Sequence, residues 1–149
     1  MEEYTFDACA LIALLNEEEG ADIVEDLINR GIAGEISLGI SIINLTEVYY
    51  GYIGALGKEK ADDYLERILS YPIKVINVIT DEVFREASRL KGVYSIPLGD
   101  SYACATALAA NAVLVTSDHH DLKIIEQQES LSFLWLPPRP KRKPPSTST

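Results

Sequence analysis

Residues with catalytic side-chain nitrogen or sulfur are scarce in this 149-residue chain, which has two histidines, two cysteines and a single tryptophan. The histidines, His119 and His120, are adjacent, and their placement argues against a serine or cysteine nucleophile served by a distant histidine base. No C-x-x-C pair is present, so a cysteine zinc site and a disulfide framework are not expected. Cys9 and Cys104 lie among apolar residues and read as reduced core residues of a cytosolic protein. No apolar run approaches the roughly 18 residues that span a bilayer. The start, Met1-Glu2-Glu3, lacks the basic segment of a signal peptide. The glycines between Gly51 and Gly57 fit no G-x-G-x-x-G pattern and no lysine–hydroxyl pair follows them, which excludes a phosphate-cradling loop.

Positive charge is short as well. The net charge is −10, and Arg139, Lys141, Arg142 and Lys143 all fall near the C-terminus. Residues 1–136 therefore carry nine basic and 23 acidic groups, a balance of −14. Such a body repels nucleic acid unless local basic patches or bound cations intervene.

What is plentiful is apolar residues, 47% of the chain, enough for one domain with a real core. Tyr4–Phe6 reads as a first strand and Ala8 to Leu15 as an apolar helix. Asn16, with Glu19 three residues on, reads as the cap of a second helix that ends at Arg30 and Gly31. Ile36 to Ile40 is a second strand, and Ser41 caps a helix over about 42–56. On that helix Asn44, Glu47, Gly51 and Gly54 form one stripe, and two glycines there imply a close neighbour. A helix from Lys58 to Leu69, a strand from Ile73 to Val78 and a helix from Asp81 to about Lys91 follow. Asp100 precedes a small-residue helix, Ser101 to Ala110, which Asn111 can end. Ala112 to Val115 is a buried strand, His120 to Gln128 a short helix, and Leu131 to Leu136 a last strand. From Pro137 the sequence P-P-R-P-K-R-K-P-P-S-T-S-T reads as an extended, mobile basic tail on a domain of residues 1–136.

Strands alternating with helices imply an α/β fold with a mostly parallel sheet, whose carboxyl strand ends share one edge. Asp7 and Asp118 leave strand ends there, with Asp121 close behind, and Glu47 and Asp100 sit in first turns of helices that begin at that edge. Taken singly, Asp100 also reads as a helix cap, Asp118 as a turn residue and Glu47 as a solvated helix charge. Together, four carboxylates cannot all stay ionised without protons or a cation. Hard oxygen ligands suit Mg²⁺ or Mn²⁺, ions that promote phosphodiester hydrolysis.

Four blocks carry a family resemblance: F-D-A-C-A-L-I-A-L-L around Asp7, S-I-I-N-L-T-E-V-Y-Y-G around Glu47, L-G-D-S-Y-A-C-A-T-A-L around Asp100 and V-L-V-T-S-D-H-H-D-L around Asp118 and Asp121. In order and spacing they resemble the PIN domains of VapC toxins. The resemblance implies a three-layer α/β/α sandwich and a metal-dependent endoribonuclease, the toxin of a type II toxin–antitoxin pair, which the cysteine reading above places in the cytoplasm. It assigns metal ligation and catalysis to Asp7, Glu47, Asp100 and Asp118, with Asp121 as an extra ligand, and gives Thr116 the task of orienting the last acid. It also implies an RNA substrate, an antitoxin partner and a Mg²⁺ or Mn²⁺ cofactor. The Tyr-rich helices after Ser41 point to a homodimer, with no membrane attachment. Cys9 departs from the family's usual Ser, Thr or Asn at this place. Lys58, Lys60, Arg67, Arg85, Arg89 and Lys91 are candidate phosphate contacts, with pairing to nearby acids as the plainer reading. Two other readings stay open: a phosphatase using Asp7 as nucleophile, and a catalytically silent interaction module.

Overall fold

The structure is a computed structural model, and it describes residues 1–139. Strand β1 (Glu2–Phe6) runs into α1 (Ala8–Leu15) and α2 (Ala21–Ile32). Then come β2 (Ile36–Ser41), α3 (Ile42–Leu56), α4 (Lys58–Ser70) and β3 (Ile73–Ile76). The rest is α5 (Asp81–Tyr94), α6 (Leu98–Ala109), β4 (Val113–Thr116), α7 (His119–Gln128) and β5 (Phe133–Trp135). The five strands form one sheet in the order β3-β2-β1-β4-β5, and every pairing is parallel.

Side chains alternate across a strand, so one strand feeds two cores. Leu114 of β4 packs with Leu90, Cys104, Leu122 and Ile125 from α5, α6 and α7. Its neighbour Val115 joins Phe6, Leu11, Val24, Leu45 and Val48, with α1, α2 and α3. Helices thus cover both faces of the sheet, the three-layer α/β/α sandwich expected. Burying a side chain such as Phe6, fully hidden from solvent, stabilises by about 1.5–3 kcal/mol.

Several local expectations change. Asn16 does not cap α2; it closes α1, and its Oδ1 accepts from Tyr52 at 2.7 Å. The N-cap of α2 is Gly20 at φ +98°, a left-handed conformation that glycine adopts without strain. Gly31 lies inside α2 rather than past its end. A Cβ there would stand 2.8 Å from Leu38 Cδ1, so the missing side chain lets the helix close onto β2. Gly51 and Gly54 have no atom within 4 Å of where a Cβ would sit, so among the described residues nothing approaches that face.

The start of α6 also shifts. Pro97 occupies the cap, and Asp100 lies within the first turn, so capping does not explain it. Asn111 takes φ +50° just past the end of α6, as a helix-ending Asn should. α3 has the expected bounds, yet from its start at Ile42 Glu47 falls in the second turn rather than the first. The chain after Leu136 was expected to leave the body; its described part, Pro137–Arg139, stays on it. Pro137 Cδ lies 2.9 Å from a Cβ built on Gly20, and Arg139 Nε and Nη2 each donate to Glu18 at 3.0 Å. Residues 140–149 of the expected mobile tail lie outside the described residues.

Candidate metal centre

β1 and β4 are neighbours, with Phe6 opposite Val115. Strand order reverses direction at β1, and that switch is where an open α/β sheet leaves a crevice at its carboxyl edge. Asp7 is the first residue after β1, and its amide donates to the Val115 carbonyl at 3.3 Å. It is 1% exposed. Oδ1 accepts from the Ala10 amide at 2.9 Å, and Oδ2 accepts from Thr116 Oγ1. Thr116 Oγ1 in turn accepts from the Asp118 amide at 3.0 Å. The Thr116 hydroxyl therefore links the first and the last strand-end acid; the resemblance implied only its contact with the last.

Asp118 caps α7, its Oδ1 accepting from the Asp121 amide at 3.1 Å. Capping is thus part of its role and leaves one carboxylate oxygen for other work. Asp100 arrives from α6. Oxygens of Asp100, Asp118 and Asp121 lie within 4.8 Å of one another. Asp7 and Glu47 stand outside that trio, although their charges act on each other and on the pocket.

Glu47 reaches the pocket across α6. Asn44 Nδ2 donates both to Glu47 Oε1 at 2.9 Å and to the Gly99 carbonyl at 3.0 Å. Glu47 is tied in this way beside Asp100. A Cβ on Gly99 would lie 2.3 Å from both Glu47 carboxylate oxygens, so only glycine leaves room for it. Asn44 and Gly99 were not among the expected site residues. The Asn44–Glu47 spacing on one helical face was the available signal for the first; the close approach at Gly99 needs tertiary structure to see.

The electrostatics follow from crowding. Burial lifts the Asp7 carboxyl from an ordinary 3.8 to about 7. Hydrogen bonds from Thr116 and Ala10 pull it back, while Asp118 and Glu47 push it further up. Burial, then the charges of Asp118, Asp7 and Asp121, raise Asp100 to about 9. Asp121 is raised by burial and by Asp118. The Asp100 Oδ2 atom is sealed from solvent and accepts no hydrogen bond from the described residues. A buried acid oxygen of this kind calls for a proton or a cation. Opposite ligands of an octahedral Mg²⁺ stand about 4.2 Å apart. Three carboxylate oxygens drawn this close are the hard donors that a small divalent ion takes.

Other expectations resolve differently. His119 opens α7 and is half-buried: Nε2 lies 2.7 Å from the Leu136 carbonyl, and the ring sits 4.5 Å from Trp135. His120 is exposed. Cys104 is buried, but Cys9 borders the acids rather than a purely apolar core, and burial pushes its thiol up to about 12. Among the candidate phosphate contacts, Lys58 pairs with Asp62 and Arg85 with Asp81, both at 2.8 Å, and Arg89 with Glu86 and Glu129. Lys91 donates to the Ile96 carbonyl and Arg67 to the Tyr71 hydroxyl, each at 2.8 Å. The plainer reading, pairing to nearby acids, is thus observed for three of the six: Lys58, Arg85 and Arg89.

Comparison with known proteins agrees with this architecture. No curated protein sequence matches the chain. Among solved structures, VapBC2 of Rickettsia felis bound to a promoter DNA fragment is similar at 20% identity and a TM-score of 0.71, covering 90% of this chain and 98% of that one. VapBC-1 of nontypeable Haemophilus influenzae is similar at 18% identity and 0.67, covering 89% and 97%. VapC20 of Mycobacterium tuberculosis, described as a toxin that cleaves the sarcin-ricin loop, is similar at 14% identity and 0.62, covering 81% and 94%. These likenesses concern the fold. The PIN domain family model matches residues 4–126, from β1 into α7 and across all five acids. This chain belongs to the PIN domain family.

Proposed function

We propose that the protein is a divalent-metal-dependent endoribonuclease that hydrolyses RNA phosphodiester bonds, and that it is the toxin of a type II toxin–antitoxin pair. The observation that carries the reading is Asp100 Oδ2, buried and unpartnered beside Asp118 and Asp121. Asp100, Asp118 and Asp121 hold the ion, with Asp7 and Glu47 completing the negative pocket. Bound Mg²⁺ or Mn²⁺ neutralises the crowded carboxylates, polarises a phosphoryl oxygen and acidifies water. Thr116 fixes Asp7 and Asp118 against each other, and Asn44 holds Glu47 beside Gly99. Asp7, Asp118 and Glu47 are thus set before substrate arrives, which is what electrostatic preorganisation requires. A toxin neighbour described as RNA-cleaving supports the choice of RNA. Neighbours solved as VapBC pairs support an antitoxin partner.

The phosphatase reading fares worse. Both Asp7 oxygens are engaged and the residue is 1% exposed, so neither is presented to a phosphoryl group. We also place the protein in the cytoplasm, in keeping with two free cysteines and with no helix, among the described residues, able to cross a membrane. Tyr50, Ile53 and Leu56, exposed along α3, support a homodimer.

The test is a ribonuclease assay with Mg²⁺, Mn²⁺ or EDTA, run beside calorimetric Mn²⁺ titration. The expected result is cleavage that needs metal and is lost, together with Mn²⁺ binding, in a folded Asp100→Asn variant. Cleavage that persists in that variant, or in EDTA, overturns the assignment. Mn²⁺ binding without cleavage of any RNA leaves the silent interaction module.

A further inference from the structure

RNA is a polyanion, and the body that must receive it on the nuclease reading carries a balance of −14 over residues 1–136. Five of its nine cations, Arg30, Lys58, Arg85, Arg89 and Lys123, are already held by carboxylates. Arg67 and Lys91 are committed to the Tyr71 hydroxyl and the Ile96 carbonyl. A cavity of about 200 Å³ opens beside Asp118, between Cys9, Ser117, His120 and Pro138, and none of the nine lines it. The cation that does is Arg139.

The chain after β5 brings Arg139 to that place. Leu136 N–H donates to the Thr116 carbonyl at 2.8 Å, and the Leu136 carbonyl lies against His119 Nε2. Pro137 packs on Gly20. Glu18 then grips the guanidinium, accepting from Nε and from Nη2 at 3.0 Å each. Such a fork fixes both position and direction. It takes one N–H from Nε and one from Nη2, and a guanidinium carries five. The N–H groups left, on Nη1 and on the outer side of Nη2, form the planar end edge that matches two oxygens of a phosphate. The Cys9 thiol stands near the guanidinium, and sulfur is too weak an acceptor to hold these donors against a phosphate oxygen. A second donor belongs to the same cavity. Ser117 is 4% exposed, and its Oγ is sealed from solvent with no partner among the described residues. A buried hydroxyl of this kind is costly until an acceptor completes it.

We propose that Arg139 and Ser117 form a phosphate subsite beside the acidic trio: Arg139, aimed by Glu18, and the Ser117 hydroxyl hold the RNA phosphate that neighbours the bond to be cut. The proposal rests on the nuclease reading for its substrate. Arg139 and Ser117 touch that substrate, and Glu18 is a positioning residue. Asp118 is both a wall of this cavity and a member of the trio, so a strand held here runs on to the acids. The subsite places positive charge where the backbone meets the repulsion of those acids, and it contacts phosphate rather than bases. A phosphate-contacting cation releases counterions, so its loss lowers the salt dependence of binding, by about 0.7 per contact for a single strand.

The experiment uses the full chain and a fluorescent single-stranded RNA in EDTA, so that binding is read without cleavage. Anisotropy titrations at several salt concentrations compare the wild type with Arg139→Gln, Glu18→Gln and Ser117→Ala, each checked by a melting curve. For Arg139→Gln the expected result is a Kd about tenfold weaker at low salt and a log–log salt slope shallower by about 0.7. An unchanged or tighter Kd overturns the proposal, as does a wild type that binds no RNA at low salt. Glu18→Gln breaks the same fork but removes an acid and keeps the cation. It should bind at least as tightly as the wild type, at the wild-type slope, while kcat/KM in Mg²⁺ falls about fivefold as Arg139 loses its aim. If it weakens binding as Arg139→Gln does, the fork only tacks the chain down and the subsite is refuted; an unchanged kcat/KM overturns the positioning role of Glu18. Ser117→Ala should weaken binding about threefold at an unchanged slope, since a hydroxyl carries no charge; equal affinity removes Ser117 from the subsite. The two readings fail separately: a wild type that binds RNA through Arg139 but cuts nothing refutes hydrolysis alone, and an Arg139→Gln variant that cuts as well as the wild type refutes the subsite alone.

Discussion

The Glu47 carboxylate lies across the α-carbon of Gly99, where a methyl group would stand 2.3 Å from both of its oxygens. Gly99 is in the first turn of α6, one residue before Asp100, so an acid from α3 and an acid from α6 meet over a missing side chain. The first prediction comes from this contact. Gly99→Ala adds a residue that a helix prefers by about 1 kcal/mol, and the group it strikes is the end of a side chain that can swing away. The metal-free Tm should hold within a few degrees of wild type while Mn²⁺ affinity falls at least tenfold. Calorimetry and a melting curve check both, and equal affinity would show that Glu47 stands apart from the ion.

The crowded acids make stability depend on pH in an unusual direction. Asp7 at about 7 and Asp100 at about 9 both sit above their unfolded value of 3.8. Between those limits the folded chain holds protons that the unfolded chain has released, so stability falls as pH rises. Without metal, the decline should begin above about pH 4 and continue through pH 7 and towards pH 9. The Tm in EDTA is expected to be higher at pH 5.5 than at pH 8.5. Saturating Mg²⁺ or Mn²⁺ should raise Tm more at pH 8.5, where the ion has no protons to displace. Scanning fluorimetry over that range gives the answer, and a Tm that rises with pH in EDTA contradicts the buried-acid account.

Thr116 tests the preorganised geometry. Thr116→Val keeps the shape and removes both the donor to Asp7 and the acceptor for the Asp118 amide. Asp7 keeps the Ala10 amide on Oδ1, but its buried Oδ2 loses its donor, and a buried polar group left without its partner costs about 1–3 kcal/mol. Urea denaturation at pH 8 should show a loss of that size for Val and most of the stability retained for Thr116→Ser. Equal midpoints for all three would mean that the hydroxyl is dispensable.

The open glycines of α3 report on partners. Gly54 has nothing within 4 Å of a built Cβ, so Gly54→Ala should gain about 0.5–1 kcal/mol from helix propensity alone. A loss of stability instead, together with a change of mass in light scattering, means that a second copy covers this face.

Much of the architecture could be read from the sequence because apolar periodicity and caps are local. Ser41 and Thr80 each cap the helix that follows, their hydroxyls accepting from Ile43 and Val83 at 3.2 Å. Helix α3 accordingly keeps the bounds that the pattern gave it. The errors arise where tertiary contacts outweigh a local signal. Asn16 looked like a cap until Tyr52, from 36 residues away, took its oxygen. Gly31 looked like a terminator, yet its task is to let a helix touch Leu38. The five acids were visible as residue types near strand and helix ends. Their unequal roles were not: Asp100, Asp118 and Asp121 draw together, Asp7 is locked behind them, and Glu47 comes in over Gly99. The docking of Arg139 on Glu18 was hidden for the same reason, since 121 residues separate them and composition alone suggested a free end.

The hydrogen bond between Thr116 and Asp7 closes a gap of 109 residues. A ribosome making this chain therefore lays down β1 first and must wait for β4 before the two can sit side by side, a long closure with a high entropic toll. Until that late segment has emerged, the early acids have nothing to converge upon. The nascent polypeptide therefore carries Asp7 and Glu47 without the pocket they belong to until β4 has been made.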